Sequence, residues 1–533
     1  MHWSARHPFA SYALSFAAIA GLCVVLYRPA LDAPFLLDDW DNVVHNPHVR
    51  WSELSLRELT AALVGPRVRR PVAHVSFGLN HYWSGYDPFA FRATNLAIHA
   101  LCGLLVCALA RVLLAHLRRI RPQALAAVEP DADRWLALAA GLLFVAHPLQ
   151  IQAVSYVVQR MTSLATLAYL LAILLWLRAG EVPAGAARRA LRCAALAAGL
   201  LALGSKEIAI ALPAALWLIH GLFVADLGRD WLRRSAPVAL AVLAVAGGAL
   251  VFASRGPGWE LHDFGPWERV LTQPRVLWLY ASLIALPLPS RLNLLHEIAP
   301  SRSLLDPPTT LVGALALVLA FGLAVVSARR FRFAAFGVLW FGIHSALEAS
   351  PLPLRMIFEH RLYLPLVGLA VALPVCLAQL IGTRRALAAL AVAIAALGLA
   401  THARNQLWGD PIGLRFDTAN KSPDDWLAQL LGASALAESG RADEALVRLE
   451  RASELAPASP RPHNLRGALL RSQGRLPEAL AAFERARQVS AFFGGTPRSG
   501  VADEPAEAIP MPKVDMPPTN VVQPQRKRQK QGC

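Results

Sequence analysis

Long apolar segments separated by short polar stretches dominate the chain. Each is near the roughly 20 residues that a helix needs to cross a bilayer core. They run over 11–30, 93–116, 135–155, 161–178, 187–204, 208–225, 235–253, 309–328, 332–350, 361–382 and 385–401. A shorter apolar run, 276–288, is flanked by prolines and is interpreted as a re-entrant or surface-lying hairpin. The pattern predicts an all-α, polytopic membrane protein with about eleven transmembrane helices.

The basic loops between these segments give an orientation. Short loops rich in arginine stay on the cytoplasmic side of a membrane. The clusters are Arg118, Arg119 and Arg121; Arg188, Arg189 and Arg192; Arg229, Arg233 and Arg234; Arg329, Arg330 and Arg332; and Arg384 and Arg385. If 276–288 is not counted as a span, all five arginine clusters fall on the same side of the membrane. This predicts a cytoplasmic N-terminus and an external C-terminus.

Composition agrees with a membrane protein. Of the 533 residues, 55% are hydrophobic and only 17% are charged, which excludes a soluble globule. The net charge of +16 does not indicate nucleic-acid binding, because much of the arginine flanks apolar segments. The six cysteines form no disulfide framework or metal spacing, and segment 11–30 lacks a cleavage signal. The Arg-, Ala- and Leu-rich composition favours a GC-rich bacterium and therefore its inner membrane.

After the last span the sequence changes character. We interpret 1–403 as the transmembrane domain, with a first external loop over 31–92, and 404–423 as a linker. Residues 424–490 contain two copies of a G-R-x-x-E-A-L pattern that begin at Gly440 and Gly474, 34 residues apart, as in tetratricopeptide repeats (TPRs). The Pro-rich and basic segment 491–533 is predicted to be disordered, either solubilising or in contact with anionic lipid head groups.

The predicted topology collects the polar stretches on the external face. They are the loop 31–92, the turn 147–160, the turn 204–207 and the segment 347–363, joined by 254–308. Asp38 and Asp39 directly follow the first span. If the backbone is extended there, their side chains point to opposite sides, so one acid can face a reaction site while the other holds the loop. A solvated turn with a helix cap is the alternative.

An acidic pair facing cations at other span ends suits glycosyl transfer from a lipid-phosphate donor. A carboxylate at the acceptor hydroxyl acts as a general base. Fixed cations stabilise the charge that develops on the leaving phosphate, and arginine matches phosphate oxygens with two parallel hydrogen bonds.

The order of motifs resembles that of the multi-spanning glycosyltransferases of the GT-C superfamily. Within it, the chain is most similar to the transmembrane, TPR-bearing O-mannosyltransferases and their bacterial relatives. The motifs are Asp38-Asp39 with Asn46-Pro47, Arg70-Pro71-Val72 with Asn80, Asp87 to His99, His147-Pro148 with Gln152-Ala153-Val154, Ser205-Lys206-Glu207, and Glu359 to Pro365. They occur in order across most of 35–365.

The resemblance implies that the pair Asp38 and Asp39 holds the catalytic base, the first acid being the usual choice. It places the following residues at the donor phosphate or substrate: Arg70, His147, Gln159, Arg160, Lys206, Glu207, Glu359, His360, Arg361 and Tyr363. Relatives have an acid followed directly by arginine, whereas His360 here separates Glu359 from Arg361, so the role of Glu359 stays open.

Other roles remain open for several of these residues. Arg70 could be one positive charge on a solvated loop, and His147 a histidine that ends a helix. Gln159 and Arg160 could reach the lipid head groups instead of a donor. Lys206 and Glu207 could form an ion pair without a catalytic role.

Several other chemistries are not supported. No phosphate-binding loop with Lys-Ser/Thr, H-E-x-x-H or C-x-x-C occurs. Asp38, Asp39 and Asp41 lack a further obvious ligand set, so no metal is predicted. No cofactor is predicted, and the lipid-linked sugar is a substrate.

The leading hypothesis is an inverting membrane glycosyltransferase with its active site outside the cytoplasm. It takes a monosaccharide from a polyprenyl phosphate and transfers it to a hydroxyl, with protein Ser/Thr favoured. The repeats hold an acceptor protein or another partner. One alternative keeps the fold but uses a lipid or cell-surface glycan acceptor, and another is a non-catalytic membrane-anchored repeat scaffold. A transporter fits least, because the spans show no pair of similar halves.

Overall fold

The structure is a computed structural model that describes residues 8–65, 68–227 and 264–492, together with positions 233, 247 and 259. The predicted all-α class is confirmed for these residues, which contain helices and no β-strand. They divide after Ser422 into two compact units. Most of the predicted span 235–253 and of the predicted tail 491–533, together with Arg229 and Arg234, lies outside the described residues.

The first unit is a bundle of helices of very different length. In chain order they are α1 (Pro8–Tyr27), α2 (Leu56–Val64), α3 (Pro71–Ser84), α4 (Pro88–Ile120), α5 (Asp133–Ala146), α6 (Ile151–Val154), α7 (Arg160–Glu181), α8 (Ala186–Ser205), α9 (Leu212–Phe223), α10 (Pro266–Ala285), α11 (Thr309–Ser327), α12 (Arg332–Ala346), α13 (Pro365–Ile381), α14 (Thr383–Gly409) and α15 (Pro411–Lys421).

Several helices are long and apolar enough to cross a membrane, as expected for a multi-pass membrane protein. Among the described residues, five helices have the length and apolar composition of a membrane span: Ser11–Ala30, Pro88–Ile120, Val157–Glu181, Thr309–Ser327 and Thr383–Gly409. The pair Pro130–Ala146 and Pro148–Val154, bent by 54°, would make a sixth. Glu207–Phe223 and Pro365–Ile381 are shorter apolar helices. The run 276–288, interpreted as a hairpin, instead lies largely within α10, which is not among the candidate spans.

Helix starts follow local sequence rules. Proline stands in the first turn of α3, α4, α10 and α13, where its missing N–H would have no intrahelical partner. The Asp87 carboxylate accepts a hydrogen bond from the N–H of Phe89 and so caps α4. These starts fix where the polar loops end and the apolar helices begin.

Two glycines allow α4 and α5 to pack closely. A Cβ added at Gly141 would lie 2.7 Å from the carbonyl oxygen of Gly103, and a Cβ at Gly103 would lie 2.6 Å from Val145. Small residues permit this close approach between apolar helices. The helix α4 also packs on α7, so it forms a central element beneath the polar loops.

Basic residues collect where α4 and α7 end. Arg118 forms an ion pair with Asp133 at 2.7 Å, and both Arg119 and Arg178 pair with Glu181, at 3.0 Å and 2.8 Å. Asp226 joins two further basic residues, Arg121 at 2.8 Å and Arg332. The basic clusters 118–121 and 329–332, together with Arg178, therefore meet acidic residues at one end of the bundle.

The second unit consists of two helical hairpins. The first pairs α16 (Trp426–Glu438) with α17 (Ala442–Leu455), and the second pairs α18 (Arg461–Ser472) with α19 (Leu476–Phe492). Gly440 and Gly474 occupy the same place in the two turns, with φ of +77° and +78°. The backbone conformation of the turn thus repeats with the same 34-residue period as the sequence.

The two turn glycines should tolerate asparagine better than alanine. Nothing lies within 4 Å of a Cβ added at either one, so the cost of substitution is conformational and not a clash. Gly440→Ala should lower the free energy of unfolding of the second unit by about 1–2 kcal/mol, and Gly440→Asn by clearly less, because asparagine tolerates positive φ.

Hydrogen exchange of 426–455 in the intact chain measures this difference, with the same pair of variants at Gly474 as an internal repeat. Equal protection in the alanine and asparagine variants would contradict it.

Candidate functional site

The acidic pair lies in a helical turn, which corrects the extended backbone assumed for it in the sequence. Asp38 and Asp39 directly precede a π-helical turn over Trp40–Val44, and Asp39 has helical φ and ψ of −62° and −34°. Successive side chains on a helical turn point in different directions, about 100° apart, so the two acids are still separated. Their environments differ accordingly.

Asp39 is fully buried and holds the loop in place. One carboxylate oxygen accepts a hydrogen bond from the N–H of Leu36 at 3.0 Å, and the other accepts one from the N–H of Val158 at 2.7 Å. Burial raises the pKa of Asp39 to about 7, while Arg92 and these two N–H groups act in the opposite direction. A pKa near 7 would suit a general base, but geometry comes first, and both oxygens of Asp39 serve the backbone.

Asp38, by contrast, is exposed. Its N–H donates to the hydroxyl of Tyr156 at 2.9 Å, and its carbonyl oxygen accepts from the side chain of Asn42 at 2.9 Å. The backbone is therefore fixed on both sides. Of the two acids, Asp38 is the one whose side chain remains accessible to a substrate.

The turn 155–160 connects this loop to the rest of the site. Arg92 donates to the carbonyl oxygens of Ser155 at 2.8 Å and Pro34 at 2.6 Å, and so ties the turn to the loop after α1. Arg160 is fully buried and donates to Asn95 at 2.6 Å and to the carbonyl oxygen of Phe91 at 2.8 Å. Both arginines are anchored in the fold. For Arg160, contact with a donor phosphate would require breaking these bonds.

Three cations from distant segments gather beside the turn. Arg70 forms a two-bond ion pair with Glu207, at 3.0 Å and 2.6 Å, and its third nitrogen lies 3.1 Å from the sulfur of Met161. Lys206 is buried and donates to the Thr162 hydroxyl at 2.8 Å, with the Gln159 side-chain oxygen at 3.5 Å.

Arg361 is the third cation. Its Nε lies 3.0 Å from a carboxylate oxygen of Glu348, and its Nη1 donates to the carbonyl oxygen of Met356 at 3.0 Å. Burial is the main cause that lowers the pKa of Lys206 to about 8. The charges of Arg70 and Arg361 act in the same direction and those of Glu348 and Glu207 in the opposite one, so all four lie within electrostatic range of Lys206. We call Arg70, Lys206, Arg361, Glu207 and Glu348 the cationic cluster.

Glu359 has a different role from its neighbours. It is fully buried and accepts hydrogen bonds from the N–H of Asn293 at 2.7 Å, from His296 at 2.9 Å and from Arg404 at 2.8 Å. Although burial acts to raise it, the pKa of Glu359 is lowered overall, chiefly by the charge of Arg404. Glu359 thus joins the 293–296 loop to α14, which gives a structural reason for the acid that the sequence left open.

The remaining predicted residues lie in the interior. His147 contacts the carbonyl oxygen of Ile284 at 3.0 Å and accepts from the N–H of Leu149, where α5 is interrupted. Tyr363 is fully buried and contacts His99 at 2.7 Å. His360 contacts Gln152 at 3.3 Å, and burial lowers its pKa well below the usual value, which keeps it neutral. The structure does not bring these three into the cationic cluster by direct contact.

Several residues of the site were not identified from the sequence. They are Glu348, Thr162, Met161, Arg92 and Arg404. Arg92 lies within one of the quoted motifs, but nothing in its spacing indicates that it binds backbone at 155. Glu348 meets Arg361 only through the course of the loop between them. Among the described residues, no group of three or more potential metal ligands occurs.

The buried pair of Glu359 and Arg404 should be strongly coupled. Glu359→Gln leaves a buried guanidinium without its counter-ion and should lower the free energy of unfolding by about 3–5 kcal/mol. Because the folded-state pKa of Glu359 is lowered, this stabilisation is present above the unfolded-state pKa and is lost as pH falls through the folded value.

Denaturant unfolding of Glu359→Gln, Arg404→Gln and the double variant measures the coupling. Asp32→Asn is the control, since Asp32 is 71% exposed in its ion pair with Arg28 and should cost under about 1 kcal/mol. Additive losses in the double variant would show that the two side chains do not act as a pair.

The fold and the site together define a multi-pass helical membrane protein whose polar loops bring a carboxylate together with several cations. The chain is similar to proteins named protein O-mannosyl-transferase. It is 32% identical to Tmtc2 of Drosophila melanogaster over 166 residues, 26% to TMTC2 of Homo sapiens over 167, and 30% to TMTC1 of Mus musculus over 171. The family resemblance inferred from the motifs is confirmed by these matches.

Each match covers 30% of this chain and only 16%, 18% and 16% of the three relatives, respectively. The chain therefore spans less than one fifth of the length of the relatives that it matches. No family model matches the chain, and no solved structure matches it.

Proposed function

We propose that the protein is a membrane glycosyltransferase. It transfers a monosaccharide from a polyprenyl-phosphate donor to a hydroxyl acceptor, with serine or threonine of a protein favoured, on the external face of the membrane. The names of its relatives support transfer to protein. No divalent metal is part of the proposal.

One observation carries the proposal. The same short turn holds the acidic loop through Val158 and holds a buried lysine through Gln159 and Thr162. Arg70 lies against Met161, in the first turn of α7 that directly follows, at 3.1 Å. A carboxylate and a set of cations are thereby fixed on one rigid element, as transfer from a phosphate leaving group requires.

Asp38 is the general base in this mechanism. The acceptor hydroxyl attacks the anomeric carbon, its proton passes to the Asp38 carboxylate, and the bond from that carbon to the phosphate oxygen breaks. The electron pair of that bond leaves with the polyprenyl phosphate. A single displacement of this kind inverts the configuration at the anomeric carbon.

The cationic cluster receives the phosphate. Three cations face two carboxylates, so the cluster carries one unbalanced positive charge when Lys206 is protonated. The hydrogen bonds of Lys206 run to a hydroxyl and an amide oxygen, both neutral. Among the described residues this buried ammonium has no anionic hydrogen-bond partner, which favours a bound anion.

The proposed topology has eleven spans with a cytoplasmic N-terminus in a bacterial inner membrane. Within the described residues, helices of the structure lie at ten of these segments, and most of the remaining one, 235–253, lies outside the described residues. The meeting of the basic clusters 118–121 and 329–332 at one end of the bundle, through Asp226, supports a cytoplasmic position for that end. The two hairpins of the second unit would be external TPRs that hold the acceptor or another partner.

A transfer assay in membranes tests the function. With a radiolabelled polyprenyl-phosphate sugar, Asp38→Asn should reduce transfer about 10²–10⁴-fold at matched expression, the usual contribution of a general base. Asp38→Asn should change the unfolding midpoint less than Asp39→Asn, because Asp38 is exposed and Asp39 is fully buried. Asp39→Asn should lower it, because an amide nitrogen replaces one acceptor of two buried N–H bonds, at about 1–3 kcal/mol.

Full activity of Asp38→Asn would exclude Asp38 as the base. If deletion of 424–486 removes the phenotype while both acidic variants keep it, the chain acts as a scaffold and not as an enzyme.

Donor binding should depend on the protonation of Lys206. Because burial lowers its pKa to about 8, Lys206 is mostly protonated at pH 7 and neutral at pH 9. The ratio kcat/KM reports groups of the free enzyme, so it should fall as pH rises through about 8. Lys206→Arg should flatten the profile between pH 7 and 9.5, since arginine stays charged.

Lys421→Arg is the control variant, because Lys421 already pairs with Asp417 at 2.7 Å. It should keep the wild-type profile. A profile that is unchanged in Lys206→Arg would assign the titration to another group.

A further inference from the structure

A long apolar groove runs along the first unit between α1, α5 and α14. Its cavity volume is about 980 Å³, and aliphatic side chains form most of its lining. On α14 the lining residues extend from Leu387 to His402, and on α5 from Trp135 to Leu142. At about 1.5 Å per residue the α14 part rises about 22 Å, a large part of the roughly 30 Å of a bilayer's hydrocarbon core. Because α14 is a candidate membrane span, the groove faces lipid.

The two ends of the groove differ. At one end the Nδ1 of His402 lies 3.1 Å from the carbonyl oxygen of Val25, and a Cβ added at Gly398 would lie 3.4 Å from Leu26. These contacts hold α14 against α1, and α1 lines the groove only near this end. The opposite end is bounded by α5 and α14 alone.

Two arginines lie at that opposite end. Arg134 directly precedes Trp135, and its guanidinium carbon lies 5.1 Å from the centroid of the Trp135 ring. Arg384 stands three and seven residues before two lining residues of α14, so it lies on the same face of that helix. A hydrogen bond of 3.2 Å from the N–H of Glu129 to the Thr383 hydroxyl joins the segment before α5 to the start of α14. The two arginines are thereby brought to the same end of the groove.

The two arginines differ from their basic neighbours in having no acidic partner. Arg118, Arg119 and Arg121, at the same end of the bundle, each form an ion pair with a carboxylate. Within the described part of the chain Arg134 and Arg384 form none, and the buried Nε of Arg134 has no hydrogen-bond partner. Buried polar groups are normally paired, so this nitrogen indicates an acceptor that comes from solvent or from a ligand.

We propose that the groove binds an anionic phospholipid, with its phosphate at Arg134 and Arg384 and an acyl chain along α14. Arginine matches phosphate oxygens with two parallel hydrogen bonds, and tryptophan is typical of the level where lipid head groups meet the hydrocarbon core. Basic sites between spans on the cytoplasmic side bind anionic head groups in this way. The inference concerns a lipid of the membrane and does not depend on glycosyl transfer.

A second copy of the chain fits the groove less well than a lipid. Copies in one membrane have the same orientation, so a two-fold contact through this groove would bring Arg134, Arg384 and Arg385 of both copies to the same level. Like charges at one level oppose such a contact, whereas a phosphate group neutralises them. The charges at the end of the groove therefore favour a lipid as its occupant.

Lipid binding to the purified full-length protein tests the inference. Native mass spectrometry counts bound lipids while the protein in detergent is titrated with phosphatidylglycerol or with phosphatidylcholine of the same acyl chains. The first phosphatidylglycerol should bind at least about tenfold more tightly, because each arginine contributes about a fivefold preference for an anionic head group. Arg134→Gln and Arg384→Gln should each weaken phosphatidylglycerol binding about fivefold and leave phosphatidylcholine binding within about twofold.

Arg385→Gln is the matched control for charge. Arg385 is exposed, like Arg384, and belongs to the same basic cluster. It lies about 100° further round α14, and Ala388 and Val392, three and seven residues after it, do not line the groove. Both affinities should stay within about twofold of the wild type in Arg385→Gln. An equal loss in Arg385→Gln and Arg384→Gln would mean that anionic lipid is attracted by diffuse surface charge, and the site would be overturned.

Filling the groove tests the position of the acyl chain. Ala395 lines the groove and Ala396 does not, although both are exposed. In the same titration Ala395→Phe should weaken binding of both lipids, and Ala396→Phe should weaken neither. A photoreactive acyl chain on phosphatidylglycerol should label peptides that contain 134–142 or 387–402. An unfolding midpoint for each variant at the wild-type value shows that the comparison concerns binding.

Other results would assign the groove differently. Equal affinity of the wild type for the two lipids, which requires no variant, would overturn the anionic site. Displacement of phosphatidylglycerol by polyprenyl phosphate at lower concentration than by phosphatidylglycerol itself would assign the groove to a donor lipid. Cross-links between copies through 387–402, without labelling by the lipid, would assign it to an interface between copies. None of these measurements uses sugar transfer, so the proposed function and this inference can fail independently.

Discussion

The hydrogen bond from the N–H of Val158 to Asp39 is the contact on which the site depends. It joins the loop after the first helix to a turn 119 residues later, and a buried carboxylate accepts it at 2.7 Å. The same turn carries the contacts of Lys206 and Arg70. Together with the bonds of Tyr156 to Asp38 and of Arg92 to both segments, this bond fixes the position of the acidic loop relative to the cations.

Buried arginines also hold the backbone in place. Arg92 and Arg269 donate to backbone carbonyl oxygens of segments outside regular helices, and Arg160 donates to carbonyl oxygens of α3 and α4. Non-helical backbone near a bilayer needs internal partners, since lipid offers none. A guanidinium has five donors in a planar fork, so one arginine satisfies several carbonyls together. Several arginines that could be ligands by sequence thus stabilise the fold. The basic residues of the cationic cluster are those that contact carboxylates or a hydroxyl.

Apolar length predicted the long helices of the first unit, but not α2 and α3 within the loop 31–92. Of the candidate residues named from the sequence, the structure brings Arg70, Lys206, Glu207 and Arg361 into the cationic cluster. The sequence could not separate Asp38 from Asp39, since their difference comes from Val158. Nor could the sequence show that Arg160 donates to buried acceptors within the fold while Arg361 pairs with a carboxylate, because only tertiary contacts decide this. Glu348 carries no local signal, and its contact with Arg361 depends on a loop held by Arg269.

The long sequence separations of these contacts determine the order in which the site can form. Asp39 can form its hydrogen bond only after Val158, 119 residues later, has been synthesised. Arg70 can form its ion pair only after Glu207, 137 residues later, has been synthesised. During synthesis the first loop is therefore exposed before the turn and the lysine segment exist to receive it. Early helices can insert while this loop stays unorganised, and its acids and Arg70 reach their positions only after α7 and α8 have been added. The centre that would do the chemistry is consequently a late product of assembly, completed by helices that arrive after the loop that carries its carboxylate.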